Sequence, residues 1–265
     1  LFPAQISIKQ SAIAGVGFKT QTRGNMKYII GCSGFHYKHW KDNFYPPDLP
    51  VKKWFEFYTQ HFNTLELNVT FYRFPKLSTL QGWYDQSPAD FTFSVKVPRS
   101  ITQFKKLNGT ARMVSDFYDL AREGLQEKLG CVLFQFPPNF SFNDEHLNRI
   151  IDSVDPSFRN VVEFRHSSWW NPDAISLLGD HGIAFCGMSY PNFTDEVIGN
   201  TSHLYYRMHG FEQLYASNYS AEQLSNVIDQ INSMEHVQSA FVYFNNDVLG
   251  FATKNAESMI RLAST

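Results

Sequence analysis

From Met26 onward, short apolar runs alternate with amphipathic stretches in which apolar positions recur every three to four residues. The short runs read as buried strands and the stretches between them as helices, the alternation that a parallel β/α architecture requires. Eight runs qualify as strands: YIIGCSGF (28–35), TLELNVTFY (64–72), FTFSVKVP (91–98), CVLFQFPP (131–138), NVVEFRHS (160–167), IAFCGMS (183–189), HLYYRMHG (203–210) and SAFVYFNND (239–247). Helical patterns fall between them: VKKWFEFYTQHF, LSTLQGWYDQS, ARMVSDFYDLAREGLQEKLG, DEHLNRIIDSV, PDAISLLGDHG and SAEQLSNVIDQINSM, with ATKNAESMIRLA closing the chain. NDEH (143–146) and SAEQ (220–223) have the form of helix starts, the second with a capping-box Gln. PNFTDEVIGNT, between the sixth and seventh strands, is too short and irregular for a full helix and predicts a loop.

Eight strands with seven helices match a (β/α)8 TIM-type barrel. A doubly wound open sheet is the competing architecture, but no G-x-G-x-x-G or P-loop follows the first strand, and GCSG (31–34) is too short to replace one. The chain of 265 residues suits one barrel domain, expected over residues 26–265. Residues 1–25 carry no strong period and lack the charged start and long apolar core of a signal peptide, so they read as an N-terminal extension and the fold is expected to start at Met26.

Alternation within strands sorts the polar residues, because successive side chains point to opposite faces. Glu66, Asn68 and Thr70 share a face, as do Ser94 and Lys96, Glu163 and Arg165, Arg207 and His209, and Asn245 and Asp247. Their alternates, such as Leu65, Val95, Phe164, Met208 and Phe244, are apolar and predict a layer beneath the helices. Barrel interiors are otherwise apolar, and active sites lie at the carboxyl ends of the strands, so charges late on the inner face read as a site. A self-paired structural network fits the same pattern, since Lys96, Arg165 and Arg207 balance Glu66, Glu163 and Asp247 in number. Glu66 and Glu163, nearest the barrel middle, are expected to hold the rim cations.

Composition narrows the partners. A net charge of -2 supplies no broad positive field for nucleic acid or acidic membranes, so any anion site must be local. The three cysteines, Cys32, Cys131 and Cys186, are widely spaced in apolar surroundings, which predicts reduced thiols, no disulfide and a cytoplasmic setting. No apolar run reaches the length of a transmembrane helix, and no membrane partner is expected.

The motifs IGCSGFHYKHWKDNFYP, ELNVTFYRFP, FSVKVPR, KLGCVLFQFPP, VEFRHSSW, YYRMHG and YFNND, in this order, resemble the YecE-like family, domain of unknown function 72. The resemblance runs from Met26 to the end of the chain and implies a TIM-type barrel of bacterial and archaeal soluble proteins without an established reaction. Two positions depart from the family pattern. Ile101-Thr102-Gln103 stands where ITH is common, and Met188-Ser189-Tyr190 where an Asp often ends the sixth strand.

Several chemistries compete for this inventory. A metal would recruit Glu66, Glu163, His209 and Asp247, but Lys96, Arg165 and Arg207 on the same face would repel it, so no metal or other cofactor is expected. Cys32 reads as a small buried thiol, Ser33 lacks G-x-S-x-G, and the GCSG glycines point to close backbone approach to a ligand. General acid/base catalysis would fall to His209, Glu163 and Asp247. Anion binding is the best supported feature: Lys96, Arg99, Arg165 and Arg207 would form a positive ring, with Glu66, Asn68, Gln135 and Asn245 adding polar contacts. Tyr37, Trp40, Tyr72 and Trp169 would then stack on a sugar or base, or close the barrel mouth as apolar cover.

Three functions follow. One is an enzyme, a metal-independent hydrolase or lyase, acting on a phosphorylated or otherwise anionic small substrate. The second is a nucleic-acid-binding or repair-like barrel, and the third a non-catalytic ligand- or partner-binding module. The oligomeric state is not legible in the chain.

Overall fold

A computed structural model describes residues 21–23 and 26–264. Its strands are β1 (Gln21–Arg23), β2 (Met26–Ser33), β3 (Thr64–Leu67), β4 (Thr92–Lys96), β5 (Leu129–Gln135), β6 (Arg159–Glu163), β7 (Ala184–Ser189), β8 (His203–Met208) and β9 (Ser239–Phe244). From β2 to β9 each strand pairs in parallel with the next, and β9 returns to pair with β2 from Lys27↔Ser239 to Cys32↔Phe244. That closure makes the TIM-type barrel the sequence predicts. The helices are α1 (Trp54–His61), α2 (Val69–Tyr72), α3 (Leu77–Gln86), α4 (Ala111–Leu125), α5 (Asp144–Ser153), α6 (Pro172–Asp180), α7 (Ala221–Asn232) and α8 (Phe251–Ala263). No helix joins β7 to β8, as the irregular PNFTDEVIGNT segment leads one to expect.

Local chemistry sets the helix starts. Asn143 caps α5 by accepting from the backbone N–H of His146 at 2.7 Å, and Ser220 with Gln223 forms the expected capping box on α7. Asn171 caps α6, whose first residue is Pro172.

Strand alternation divides the core in two. Val95, Val132, Val162, Phe164, Leu204, Tyr206, Val242 and Phe244 join the cluster under the helices. Ile29, Cys131, Leu133, Val161, Ala184, Cys186, Tyr205, Phe241 and Tyr243 fill the barrel interior. All three cysteines are buried and free.

Two expectations change. Most of the expected extension, residues 1–20, 24 and 25, lies outside the described residues, but β1 pairs antiparallel with Met26–Tyr28, so the sheet begins before Met26. The second strand, expected to run to Tyr72, stops at Leu67 and continues as the single turn α2. Thr70 accounts for the switch: its buried hydroxyl lies 2.8 Å from the Leu67 carbonyl and 2.6 Å from that of Lys96, serving groups at the strand ends. Thr70 is therefore a structural tie and not an inner-face partner of Glu66. Among the described residues no helix is long and apolar enough to cross a membrane.

Candidate functional site

The strands of the barrel end early, and the charged residues gather at those ends. Lys96 and Gln135 close β4 and β5, Glu163 closes β6, and Arg165, His209 and Asn245 stand just beyond the last residues of β6, β8 and β9. All of these but Glu163, which lies buried behind them, line a cavity of about 380 Å³, a size suited to a small molecule. Its lining includes Tyr37, Asn68, Tyr72, Lys96, Gln135, Arg165, Arg207, His209, Asn245 and Asp247, all singled out by the sequence pattern.

Arg207 lies across the barrel between two carboxylates. Its Nη2 donates to Glu66 Oε1 at 2.7 Å, and its Nη1 to Glu163 Oε2 at 2.5 Å. Glu66 also accepts from Ser33 Oγ and, at 2.6 Å, from the Tyr205 hydroxyl. Asn68 Nδ2 reaches Ser33 Oγ at 2.5 Å. Both carboxylates are fully buried and Arg207 is 1% exposed, so these charges persist only because each is paired and hydrogen-bonded. Glu66 and Glu163 thus hold Arg207, and Glu163 also holds Arg165, whereas Lys96 and Arg99, the other expected rim cations, pair with neither.

Arg165 is treated differently. One of its amino groups, Nη2, pairs with Glu163 and approaches His209 Nε2 at 3.0 Å, and its guanidinium carbon lies 4.2 Å from the centroid of the Tyr190 ring. Nε and Nη1 are buried without a hydrogen-bond partner. Tyr190, in the segment where the family resemblance would place an Asp, offers Arg165 a ring face.

The electrostatics follow from this packing. Burial alone would raise the Glu163 carboxyl, but Arg165 and Arg207 together hold it well below the ordinary carboxylate value. Burial, then the charges of Arg165 and Arg207, pushes His209 well below its ordinary value and keeps the imidazole neutral. Its Nε2 lies nearest two donors, Arg165 at 3.0 Å and Arg207 at 3.3 Å, with Glu163 Oε1 farther off at 3.6 Å, which favours the lone pair on Nε2 and the proton on Nδ1. Asn245 places its amide nitrogen 3.1 Å from Nδ1, so this tautomer requires the Asn245 amide turned over to present its oxygen. Burial, then the Arg207 charge, lowers Lys96 to about 7. Asp247, which approaches His39 Nε2 at 3.3 Å, is raised by burial.

Three predicted residues stand elsewhere. Trp40 and Trp169 are fully buried and belong to the core. Trp169 stacks on Phe164 at 3.8 Å and donates its indole N–H to the Phe140 carbonyl at 2.8 Å, so neither ring is free to stack on a ligand. Arg99 is exposed outside the cavity, its guanidinium 5.6 Å from both the Tyr72 and the Phe104 rings. The GCSG glycines also serve packing: a Cβ on Gly31 would meet the Thr64 carbonyl at 2.5 Å, and the Gly34 N–H is bound to the Glu66 carbonyl at 3.0 Å.

Phe71 and Tyr215 line the cavity although sequence reasoning passed over them. Phe71 enters through the unexpected α2 turn. Tyr215 is brought in by Gly210, whose φ of +112° turns the chain so that the Tyr215 N–H reaches the His209 carbonyl at 2.6 Å. A side chain at Gly210 would strike the Gln213 carbonyl. Ser33 and Tyr205, by contrast, carried a usable signal, since each lies two residues from another inner-face position. Among the described residues, no three His, Cys, Asp or Glu side chains are grouped as a metal ion would need.

Comparison with known proteins places this architecture. The UPF0759 protein YunF of Bacillus subtilis (strain 168) is 24% identical over 254 residues, covering 83% of this chain and 90% of the relative. The UPF0759 protein YecE of Escherichia coli (strain K12) is 32% identical over 117 residues, 43% of this chain and 42% of the relative. A crystal structure of a DUF72 family protein from Thermotoga maritima superposes with a TM-score of 0.79 at 28% identity, covering 90% of this chain and 99% of that one. One from Enterococcus faecalis shares the fold with a TM-score of 0.78 at 17% identity, covering 90% and 96%. Residues 29–265 match the family described as Protein of unknown function DUF72, and the chain belongs to that family.

Proposed function

We propose that the barrel mouth binds a small anionic ligand, phosphorylated or carboxylated, and that the protein is an enzyme acting on it. One observation carries the reading: Arg165 lines the cavity with two buried donors unpartnered, whereas the carboxylates nearby already hold Arg207. An unpaired buried donor costs free energy that an incoming oxyanion would recover. A guanidinium fork also suits the paired oxygens of a carboxylate or phosphate. Arg207 and Arg165 both line this cavity, and their fixed charges disfavour a divalent cation there.

Within this reading Glu163 positions the two arginines, because both its oxygens face guanidinium donors. His209 offers a proton on Nδ1 and a lone pair already engaged at Nε2. Asp247, raised by burial, remains the carboxyl able to exchange a proton at the cavity edge.

A second reading, binding of a nucleic-acid strand, is favoured by one feature: Tyr72, Arg99 and Phe104 form an exposed stack beside the mouth, with Tyr72 67% and Phe104 71% exposed. Thermal unfolding against inorganic phosphate, sugar phosphates, dicarboxylates and short single-stranded DNA separates the two. A small anion at a hundred times its dissociation constant stabilises by about 2.7 kcal/mol, and the shift disappears in Arg165→Met. A shift with DNA alone that fades with added salt supports the second reading, and no shift with any small anion overturns the first.

A further inference from the structure

Two lysines of this chain are buried alike and partnered in opposite ways. Lys128, 6% exposed, gives its ammonium protons to the Tyr84 carbonyl at 2.7 Å and to the Ser87 carbonyl and hydroxyl at 2.9 Å each. Lys96, 7% exposed, lines the mouth cavity, and among the described residues its Nζ makes no hydrogen bond and no ion pair. Its close neighbour is apolar, the Phe71 ring at 4.1 Å from Nζ to the centroid. An ammonium kept for structure takes three acceptors, as Lys128 does; Lys96 takes none.

The surrounding charges favour the free amine. Arg207 from β8 and Arg165 beyond β6 oppose a proton on Lys96, and Glu163 and Glu66, which support one, are drawn into pairs with those arginines. With burial as the largest influence, the amine titrates at about 7, so a large fraction is unprotonated at neutral pH. A desolvated free amine beside fixed cations is a nucleophile toward carbonyl carbon.

We propose that Lys96 forms a Schiff base with a carbonyl compound that carries an anionic group, the anion resting on Arg165. This names the substrate class of the anion site proposed above and rests on that reading. The lysine nitrogen attacks the carbonyl carbon, the π pair moves to oxygen, and a proton passes from nitrogen to that oxygen to give a carbinolamine. Loss of the hydroxyl with the second nitrogen-bound proton releases water and leaves the imine. Amine and carbonyl thus yield imine and water, with no oxidant or reductant consumed.

The test uses the full chain with pyruvate or with dihydroxyacetone phosphate, trapped by sodium cyanoborohydride, which delivers hydride to the imine carbon. Each trapped chain gains the mass of the carbonyl compound less one oxygen, and peptide mapping locates it. The expected result is one adduct at Lys96, formed roughly tenfold or more faster than at surface lysines because of its larger free-amine fraction. The adduct is absent from Lys96→Met, and inorganic phosphate slows its formation in the native chain, a control that needs no variant. The preferred probe shows whether the anion is a carboxylate or a phosphate. Phosphate binding without an adduct at Lys96, or adducts spread evenly over the lysines, overturns the Schiff base and leaves the anion site intact. Failure of phosphate to bind together with absence of an adduct removes both.

Discussion

Arg207 and Arg165 share Glu163 yet belong to regions built on different terms. Around Arg207 both amino groups are taken, by two carboxylates and Ser33, with the Tyr205 hydroxyl on Glu66, and Nε alone of its donors is unpartnered, at the floor of the barrel mouth. Around Arg165 the network is more open, with two donors unpartnered and the Tyr190 ring against the guanidinium. Lys96, whose Nζ has no hydrogen-bond partner among the described residues, lines the same cavity. A closed network of buried charges makes a rigid support, whereas an open one waits for an acceptor. The inner-face charges thus divide between neighbouring residues into structural pairs, around Arg207, and donors left without partners, around Arg165.

The largest effect separating the two regions is on stability. Arg207→Met leaves Glu66 and Glu163 buried with their shared cation gone, and the protein is expected to lose roughly 3–5 kcal/mol in urea denaturation. A loss near that of an ordinary surface substitution would break the distinction from the floor side.

The next effect is a pH dependence. Because Lys96 is lowered from 10.5 to about 7, the unfolded chain binds the extra proton between those values, and stability rises with pH across that window. The cost of burying this lysine is full below pH 7 and gone above 10.5, a span on the order of a few kcal/mol. Denaturation midpoints measured across the window rise in the native chain, and this contribution is absent from Lys96→Met. A native profile no steeper than that of the variant would show Lys96 to be partnered after all.

Arg165→Met is expected to cost about 1–3 kcal/mol of stability, less than Arg207→Met, since Glu163 keeps Arg207. Smallest is Tyr72→Ala, on an exposed ring, which should shift stability by no more than about 0.5 kcal/mol in the same assay. A larger loss there would mean that the aromatic stack with Arg99 supports the mouth.

Much of this was legible in the chain. The period-two pattern placed Glu66, Lys96, Glu163 and Arg207 on one face because the strand pleat leaves no other choice. The division between the arginines was not legible, since it depends on partners such as Glu66 and Arg207, 141 residues apart and joined only when the barrel closes. Trp40 and Trp169 misled for a related reason: a loop aromatic beside a strand end can turn outward to a ligand or inward to Phe164, and local sequence is the same for both. The α2 turn escaped because its apolar run looks like strand until Thr70 finds the Lys96 carbonyl.

The most direct test of the central claim is calorimetric titration of inorganic phosphate into the native chain and into Arg165→Met, with folding of both verified by circular dichroism. The account predicts binding by the native chain and a loss worth roughly 1.5–3 kcal/mol, about tenfold to a hundredfold or more in affinity, in the variant. Equal affinity in both, or no binding by the native chain, would contradict it and leave the charged layer as a structural network alone.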